Sequence, residues 1–250
     1  LSGAAPISPD LINWYLSLGI DMREGWGMTE TAGVGTAFYS REIKLGHVGR
    51  AVNDSEVRIA RDGEILFRGP GVFCGYLNKP EQTKETLIDG WLHTGDVGEI
   101  DNYGNLKITD RKKDIIITAG GKNISPSEIE NELKFSPFIS DAVVIGDKRK
   151  FLSCLIMIDE ENVMKHAQDN DIPFSNFESL CKSEEIVSLI DDEVNKVNKK
   201  FASVEQVKKF SLIDIQLTAE DDELTPTMKL KRKFINQKYG DIIESMYQSA

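Results

Sequence analysis

The chain has 250 residues, 28% charged and 40% hydrophobic, with a formal net charge of −11: enough for one large core or two modest ones, and unlike a disordered or fibrous chain. The acidic balance argues against general attraction to nucleic-acid backbones, and no apolar run approaches the roughly 18 residues of a membrane span. Cys74, Cys154 and Cys181 are odd in number and lack C-x-x-C spacing, which supports neither a disulfide framework nor a zinc site and fits a reducing compartment.

LSGAAP opens at Leu1 rather than Met and reads as a piece of something longer. LINWYLSLGI then predicts a helix ending at Gly19, and MREGWG a short strand leading to a turn. EVRIARDGEILFRG alternates Val57 and Ile59 with Ile65 and Phe67 about Arg61-Asp62-Gly63, the pattern of a β-hairpin; VGEIDNYGNLKITD repeats it about Asn102-Tyr103-Gly104-Asn105. With Gly69, Gly71 and Gly75 between them, the two hairpins predict a small, strongly bent sheet or barrel.

From residue 114 the texture changes. DIIIT predicts a buried strand, and SPSEIENEL a helix with Ser125 as N-cap, Pro126 in its first turn, Glu128 closing a capping box, and Ile129 and Leu133 facing inward. DAVVIGD, FLSCLIMID and VKKFSLI predict strands. Residues 160–201 read as helical, most clearly at Ile186, Ile190, Val194, Val197 and Phe201, and a last helix is expected over 231–247. The interleaving predicts a compact α+β domain.

Three stretches carry candidate chemistry. GWGMTETAG sets Thr29 and Glu30 after a glycine turn, where a hydroxyl can meet a phosphate and a carboxylate a hard cation such as Mg²⁺. HTGDVGEID puts Asp96 on a turn, where a carboxylate can accept both hydroxyls of a ribose. DRKKDIIITAGGKNISP joins a charged turn to Gly120-Gly121, through which a backbone can approach a narrow ligand. Each alone reads more often as an ordinary turn. The basic run Lys229, Lys231, Arg232 and Lys233 reads as a solvated face, as do His47, His93 and His166 as structural or surface residues, since none has metal-ligand spacing.

Taken in order, SGAAP, GWGMTET, GEILFRGPGVFCGYLNKPE, GWLHTGDVGEID, ITDRKKDIIITAGGKNISPSEIE and ELTPTMKLKRK resemble the signature blocks of the adenylate-forming (AMP-binding) superfamily, from residue 1 to about 239. DRKKDIIITAGGKNISPSEIE and IGDKRKFLSCLIMID are similar to its long-chain fatty acyl-CoA synthetase branch. The resemblance implies a mixed α/β and α+β fold: residues 1–110 as the end of the large AMP-binding domain with its distorted β-barrel, and 111–250 as the mobile C-terminal domain. It implies ATP, Mg²⁺ and CoA as cofactor and co-substrates, with a fatty acid activated as acyl-AMP and passed to the CoA thiol.

By the same resemblance Trp26 stands where the family has a tyrosine that stacks on adenine, Thr29 contacts phosphate, and Glu30 holds Mg²⁺. Asp96 binds the ribose hydroxyls with Arg111 assisting, Lys113 is the hinge, and Gly120 and Gly121 line the pantetheine passage. Lys229 bridges the acid and the α-phosphate, so Lys229 and Glu30 are the implied catalytic residues. The family's phosphate loop is expected upstream of LSGAAP, and this chain alone is expected to be catalytically incompetent. An adenylating enzyme for an aryl or amino acid, and a truncated nucleotide- or partner-binding protein without catalysis, stay open alternatives. So do the oligomeric state and a peripheral association of the whole cytoplasmic protein with a membrane face; no nucleic-acid partner is expected.

Overall fold

The computed structural model describes residues 1–3, 7–39, 43–214 and 231–248. The chain divides into two compact units, Leu1–Ile115 and Ile116–Ala250, so the DRKKD block packs with the first unit.

In the first unit, helix α1 (Pro9–Ser17) begins with the Ser8 hydroxyl accepting the Asp10 amide and with a proline in the first turn, where its missing N–H costs nothing. MREGWG makes two isolated bridges rather than a strand, Ser2 parallel to Glu24 and Trp26 antiparallel to Thr36. Glycines at 25 and 27 deny it the side chains that a longer ladder would pack. A short pair follows, β1 (Thr36–Ala37) with β2 (Arg50–Ala51).

Both predicted hairpins form. β3 (Glu56–Ile59) pairs with β4 (Glu64–Arg68), Val57 opposite Phe67 and Ile59 opposite Ile65. After helix α2 (Pro80–Thr86) and β5 (Leu87–Ile88), the long β6 (Trp91–Ile100) turns into β7 (Leu106–Arg111), with the Asp101 carboxylate accepting the amides of Tyr103 and Asn105 inside the turn. β6 carries β4 along one edge and β5, then β7, along the other. Its ladder slips twice, opposite Glu64/Leu66 and at Val97/Gly98, and such bulges bend a strand and raise its twist. The sheet wraps a core of Trp26, Val48, Ile65, Phe67, Leu92 and Leu106.

The second unit opens with a two-residue ladder, β8 (Ile116–Ile117) against β9 (Asn123–Ile124). DIIIT is thus not a fully buried strand: Ile116 is 4% exposed but Ile117 is 50% exposed, because the ladder has only one covered face. Helix α3 (Pro126–Leu133) has Ser125 at its N-cap and Pro126 in its first turn, but the Ser125 side chain makes no capping bond, so the expected capping box does not close; packing of Ile129 and Leu133 holds the helix instead.

β10 (Ile139–Ile145) and β11 (Leu152–Ile158) are antiparallel, and helices α4 (Glu160–Asp169), α5 (Phe177–Cys181) and α6 (Glu184–Asn198) lead to β12 (Val207–Leu212), parallel to β11. Every residue of β11 is buried, since the sheet is covered on both faces. Cys154, Ile156 and Ile158 share one core with the apolar stripes of α3 to α6, and Phe201 packs against it; Leu155 and Met157 share the other with Ile235, Tyr239, Ile243 and Met246. Burial pushes the Cys154 thiol well up and the Cys181 thiol up to about 11, so both serve as neutral packing groups.

The helix expected over 231–247 is two helices, α7 (Arg232–Lys238) and α8 (Gly240–Gln248), broken at Tyr239-Gly240. Glycine is a poor helix interior residue, and the break lets both segments cover the same sheet face. Arg232, expected on a solvated face, is instead anchored. Its guanidinium donates two bonds of 2.8 Å to the two oxygens of Glu130 on α3 and one of 2.9 Å to the Val144 carbonyl, and Glu130 Oε1 accepts the Val144 amide at 2.7 Å. Glu130 is 9% exposed; a carboxylate that deep in a fold needs such a partner, and α7 delivers it.

Candidate functional site

Three chemistry-bearing residues of the first unit, Trp26, Asp96 and Arg111, gather where β6 departs from regular pairing. Leu66 pairs with His93 and Glu64 with Val97, so two steps along β4 face four along β6, and Thr94-Gly95-Asp96 bulges out. Gly95 has φ of +72°, which a side-chain-bearing residue would adopt with strain. The Thr94 hydroxyl donates to the Ile65 carbonyl at 2.7 Å and accepts the Asp96 amide at 3.1 Å. T-G-D thus lifts one carboxylate out of the ladder on a rigid base.

That carboxylate stands between two other predicted residues. The Trp26 indole N–H donates to Asp96 Oδ2 at 2.8 Å, and Arg111 Nε on β7 lies 3.6 Å from Oδ1. Trp26 is 8% exposed and meets Phe67 edge-on at 6.0 Å, so its ring is part of the core. The trio presents a partly covered carboxylate, oriented by an indole and a guanidinium, that can still accept hydroxyl donors.

Thr29 and Glu30 form a 3₁₀ turn (Thr29–Thr31) a few residues beyond Trp26. The Thr31 hydroxyl accepts the Met28 amide at 3.0 Å, and the Glu30 carbonyl accepts the Phe73 amide at 2.9 Å. Tyr76, which the sequence did not single out, donates its hydroxyl to Glu30 Oε1 at 2.7 Å; burial and then this bond push the phenol up, keeping it a donor. Among the described residues no group of three or more His, Cys, Asp or Glu could enclose a metal. One oriented carboxylate fits Mg²⁺, which is held by one or two carboxylates together with substrate phosphates.

Glu64 and Lys112 were also missed. Strand alternation points Glu64 outward, yet it is 6% exposed because the β6 bulge folds over it. His93, expected as a structural or surface residue, sits at this carboxylate, its Nδ1 3.1 Å from Glu64 Oε2. His47 lies against the Leu45 carbonyl and His166 edge-on to Phe138.

Lys113 lies in the turn Arg111–Ile115 of the first unit, closed by the Asp114 and Ile115 amides on the Arg111 carbonyl at 2.8 and 3.1 Å. Gly120 and Gly121 lie in the second unit, in the turn between β8 and β9. There the Gly121 amide bonds the Thr118 carbonyl, the Ala119 amide bonds the Arg149 carbonyl, and Gly121 has φ of +75°. Lys229 lies outside the described residues. The structure thus joins Trp26, Asp96 and Arg111 in one contact chain and pairs Glu30 with Tyr76.

Comparison with known proteins identifies the family. The model of the AMP-binding enzyme C-terminal domain matches residues 113–250, and that of the AMP-binding enzyme matches residues 1–77. A long-chain-fatty-acid–CoA ligase of Mycobacterium bovis is 40% identical over 248 residues, covering 99% of this chain and 41% of that protein. One from Xenopus laevis is 36% identical over 273 residues, covering 100% of this chain and 37% of that protein. The chain therefore spans about two fifths of the length of the curated relatives it matches.

Among solved structures, the adenylation domain of a carboxylate reductase from Mycobacterium chelonae has the same fold, with a TM-score of 0.78 at 24% identity over 99% of this chain and 38% of that one. The o-succinylbenzoate CoA synthetase of Bacillus subtilis, solved with its acyl-adenylate intermediate, scores 0.72 at 27% identity over 92% of this chain and 44% of that one. With one family model covering more than half of its residues, this chain belongs to the AMP-binding enzyme family.

Proposed function

We propose that the whole protein is a long-chain fatty acid–CoA ligase. A fatty carboxylate oxygen attacks the α-phosphorus of ATP, pyrophosphate leaves, and the CoA sulfur then attacks the acyl carbon as its bond to AMP breaks. The observation that carries this reading is the 40% identity to a long-chain-fatty-acid–CoA ligase, spread over 99% of the chain.

The geometry supports roles for this chain's residues. Asp96, oriented by Trp26 and Arg111, accepts the ribose hydroxyls, and the Trp26 ring borders adenine. The exposed Thr29 hydroxyl meets phosphate; Glu30, oriented by Tyr76, holds Mg²⁺, which when bound offsets phosphate charge. Lys229, assigned by its place in the ELTPTMKLKRK block rather than by geometry, bridges the acid and the α-phosphate. Lys113 is the hinge between the large domain and the mobile C-terminal one, so that each half-reaction has its own pose. The free thiols of Cys74, Cys154 and Cys181 support a reducing, cytoplasmic setting. The proposed contact with a membrane face is peripheral; no helix among the described residues is long and apolar enough to cross a membrane.

CoA-dependent AMP formation by the whole protein, assayed across fatty, aryl and amino acids, should be fastest with long-chain fatty acids; no activity with any fatty acid would overturn the reading. The passage role has its own test. A Cβ at Gly120 meets nothing nearer than Thr118 Oγ1 at 3.8 Å, so Gly120→Ala should fold normally and yet slow transfer of supplied acyl-AMP to CoA several-fold. Gly121→Ala, forced to φ of +75°, should in addition cost about 1 kcal/mol of stability in thermal unfolding.

A further inference from the structure

One buried carboxylate ties the Asp96 bulge to the chain entering the hinge. Glu64 Oε1 accepts the Gly95 amide at 3.0 Å, a donor that the bulge withdraws from the ladder. Glu64 Oε2 accepts Lys112 Nζ at 3.0 Å, and Lys112 Nζ also lies 2.7 Å from Asp62 Oδ2 in the β3–β4 turn. The Lys112 amide donates to the Gly95 carbonyl at 2.8 Å, so Gly95 is gripped at both ends, by a side chain of β4 and by the backbone after β7.

The charges are set for this grip. Burial opposes the ionisation of Glu64, but the bonds from His93, Lys112 and Gly95 together hold its carboxyl below the ordinary range; Asp62 and then Glu64 push the Lys112 ammonium up. The Lys112 side chain is 46% exposed and Asp62 53%, so solvent screens that pair, whereas Glu64 at 7% keeps most of its Coulombic weight.

We propose that Glu64 and Lys112 are positioning residues that end the first unit mechanically at Lys112, confining the reorientation between half-reactions to Lys113–Ile115. The next residue, Ile116, is 4% exposed within the core of the second unit, so only three residues lie between the clamp and that core. A pivot this short leaves few torsions to be set for each pose. Releasing Lys112 adds a residue whose backbone must be fixed in each productive pose, a factor of about ten. The catalytic part rests on the ligase reading above; the clamp itself does not.

Two measurements decide it. On this 250-residue chain, amide hydrogen exchange should show the residue-112 amide losing about tenfold or more of its protection in Lys112→Met, with β10–β12 unchanged; protection within twofold of the parent would overturn the clamp. In the whole protein, Lys112→Met should lower acyl-CoA turnover about tenfold with the KM for ATP held within about twofold, and Lys112→Arg should restore most of the loss. Glu64→Gln, which also loosens the bulge beneath Asp96, should raise that KM. Turnover unchanged in Lys112→Met, or a KM for ATP rising in step with the loss, would reduce the pair to ordinary stabilisation and refute the proposal. A whole protein that makes no acyl-CoA from any acid would sink the ligase reading, with the exchange result still deciding the clamp.

Discussion

Lys229→Ala in the whole protein should lower acyl-adenylate formation by about two to three orders of magnitude while leaving the transfer of supplied acyl-adenylate to CoA near the parent rate. An ammonium about 4 Å from an anion, at an effective dielectric of about 20, contributes on the order of 4 kcal/mol. If that attraction is fully developed only as charge shifts onto the α-phosphate, nearly all of it appears in the rate of the first step. Lysine suits the task as a compact charge on a long flexible stem. Single-turnover pyrophosphate release and thioester formation, measured separately, test the split; an equal loss in both half-reactions would refute the assignment.

Glu130→Ala should destabilise the second unit by about 3 kcal/mol, read as a lower midpoint for that unit in urea unfolding followed by exchange or circular dichroism. The substitution leaves the Arg232 guanidinium half-buried without its bidentate partner and the Val144 amide without its 2.7 Å acceptor. Breaking a buried pair from one side costs about 3–5 kcal/mol; the 24% exposure of the Arg232 side chain places the expectation at the low end. Glu130→Gln, which keeps an acceptor for Val144, should cost less than half as much. A loss below about 1 kcal/mol in Glu130→Ala would mean that the pair is a surface contact in energetic terms.

Arg232 illustrates why part of the structure was hidden. Four basic residues in five positions read alike, because composition carries no record of what a helix will face. Only the packing of α7 beside α3 and β10 separates Arg232 from its neighbours. Glu64 was hidden for a related reason. Period-two alternation assigns it to the outer face, and the bulge that buries it lies on β6, a strand 27 residues further along whose extra residues appear only when the two ladders are paired. The break at Tyr239-Gly240 and the thin ladder at DIIIT likewise depend on which surfaces neighbouring elements cover.

What the sequence determined by itself was local or periodic. Alternation about glycine turns specified both hairpins, spacings of three and four specified the buried stripe of α6, and the run FLSCLIMID specified a strand, though not that both its faces are covered. The ordered blocks pointed to the family, because several of them carry glycines, hydroxyls and carboxylates whose order and spacing are local to a few residues. Tertiary structure alone decided the contacts between residues far apart in the chain: Trp26 on Asp96, Tyr76 on Glu30, Lys112 on Glu64, Arg232 on Glu130. Each joins residues 46 to 102 positions apart, a separation over which backbone propensity and periodicity carry no information and only the folding of sheets and helices onto one another sets who meets whom.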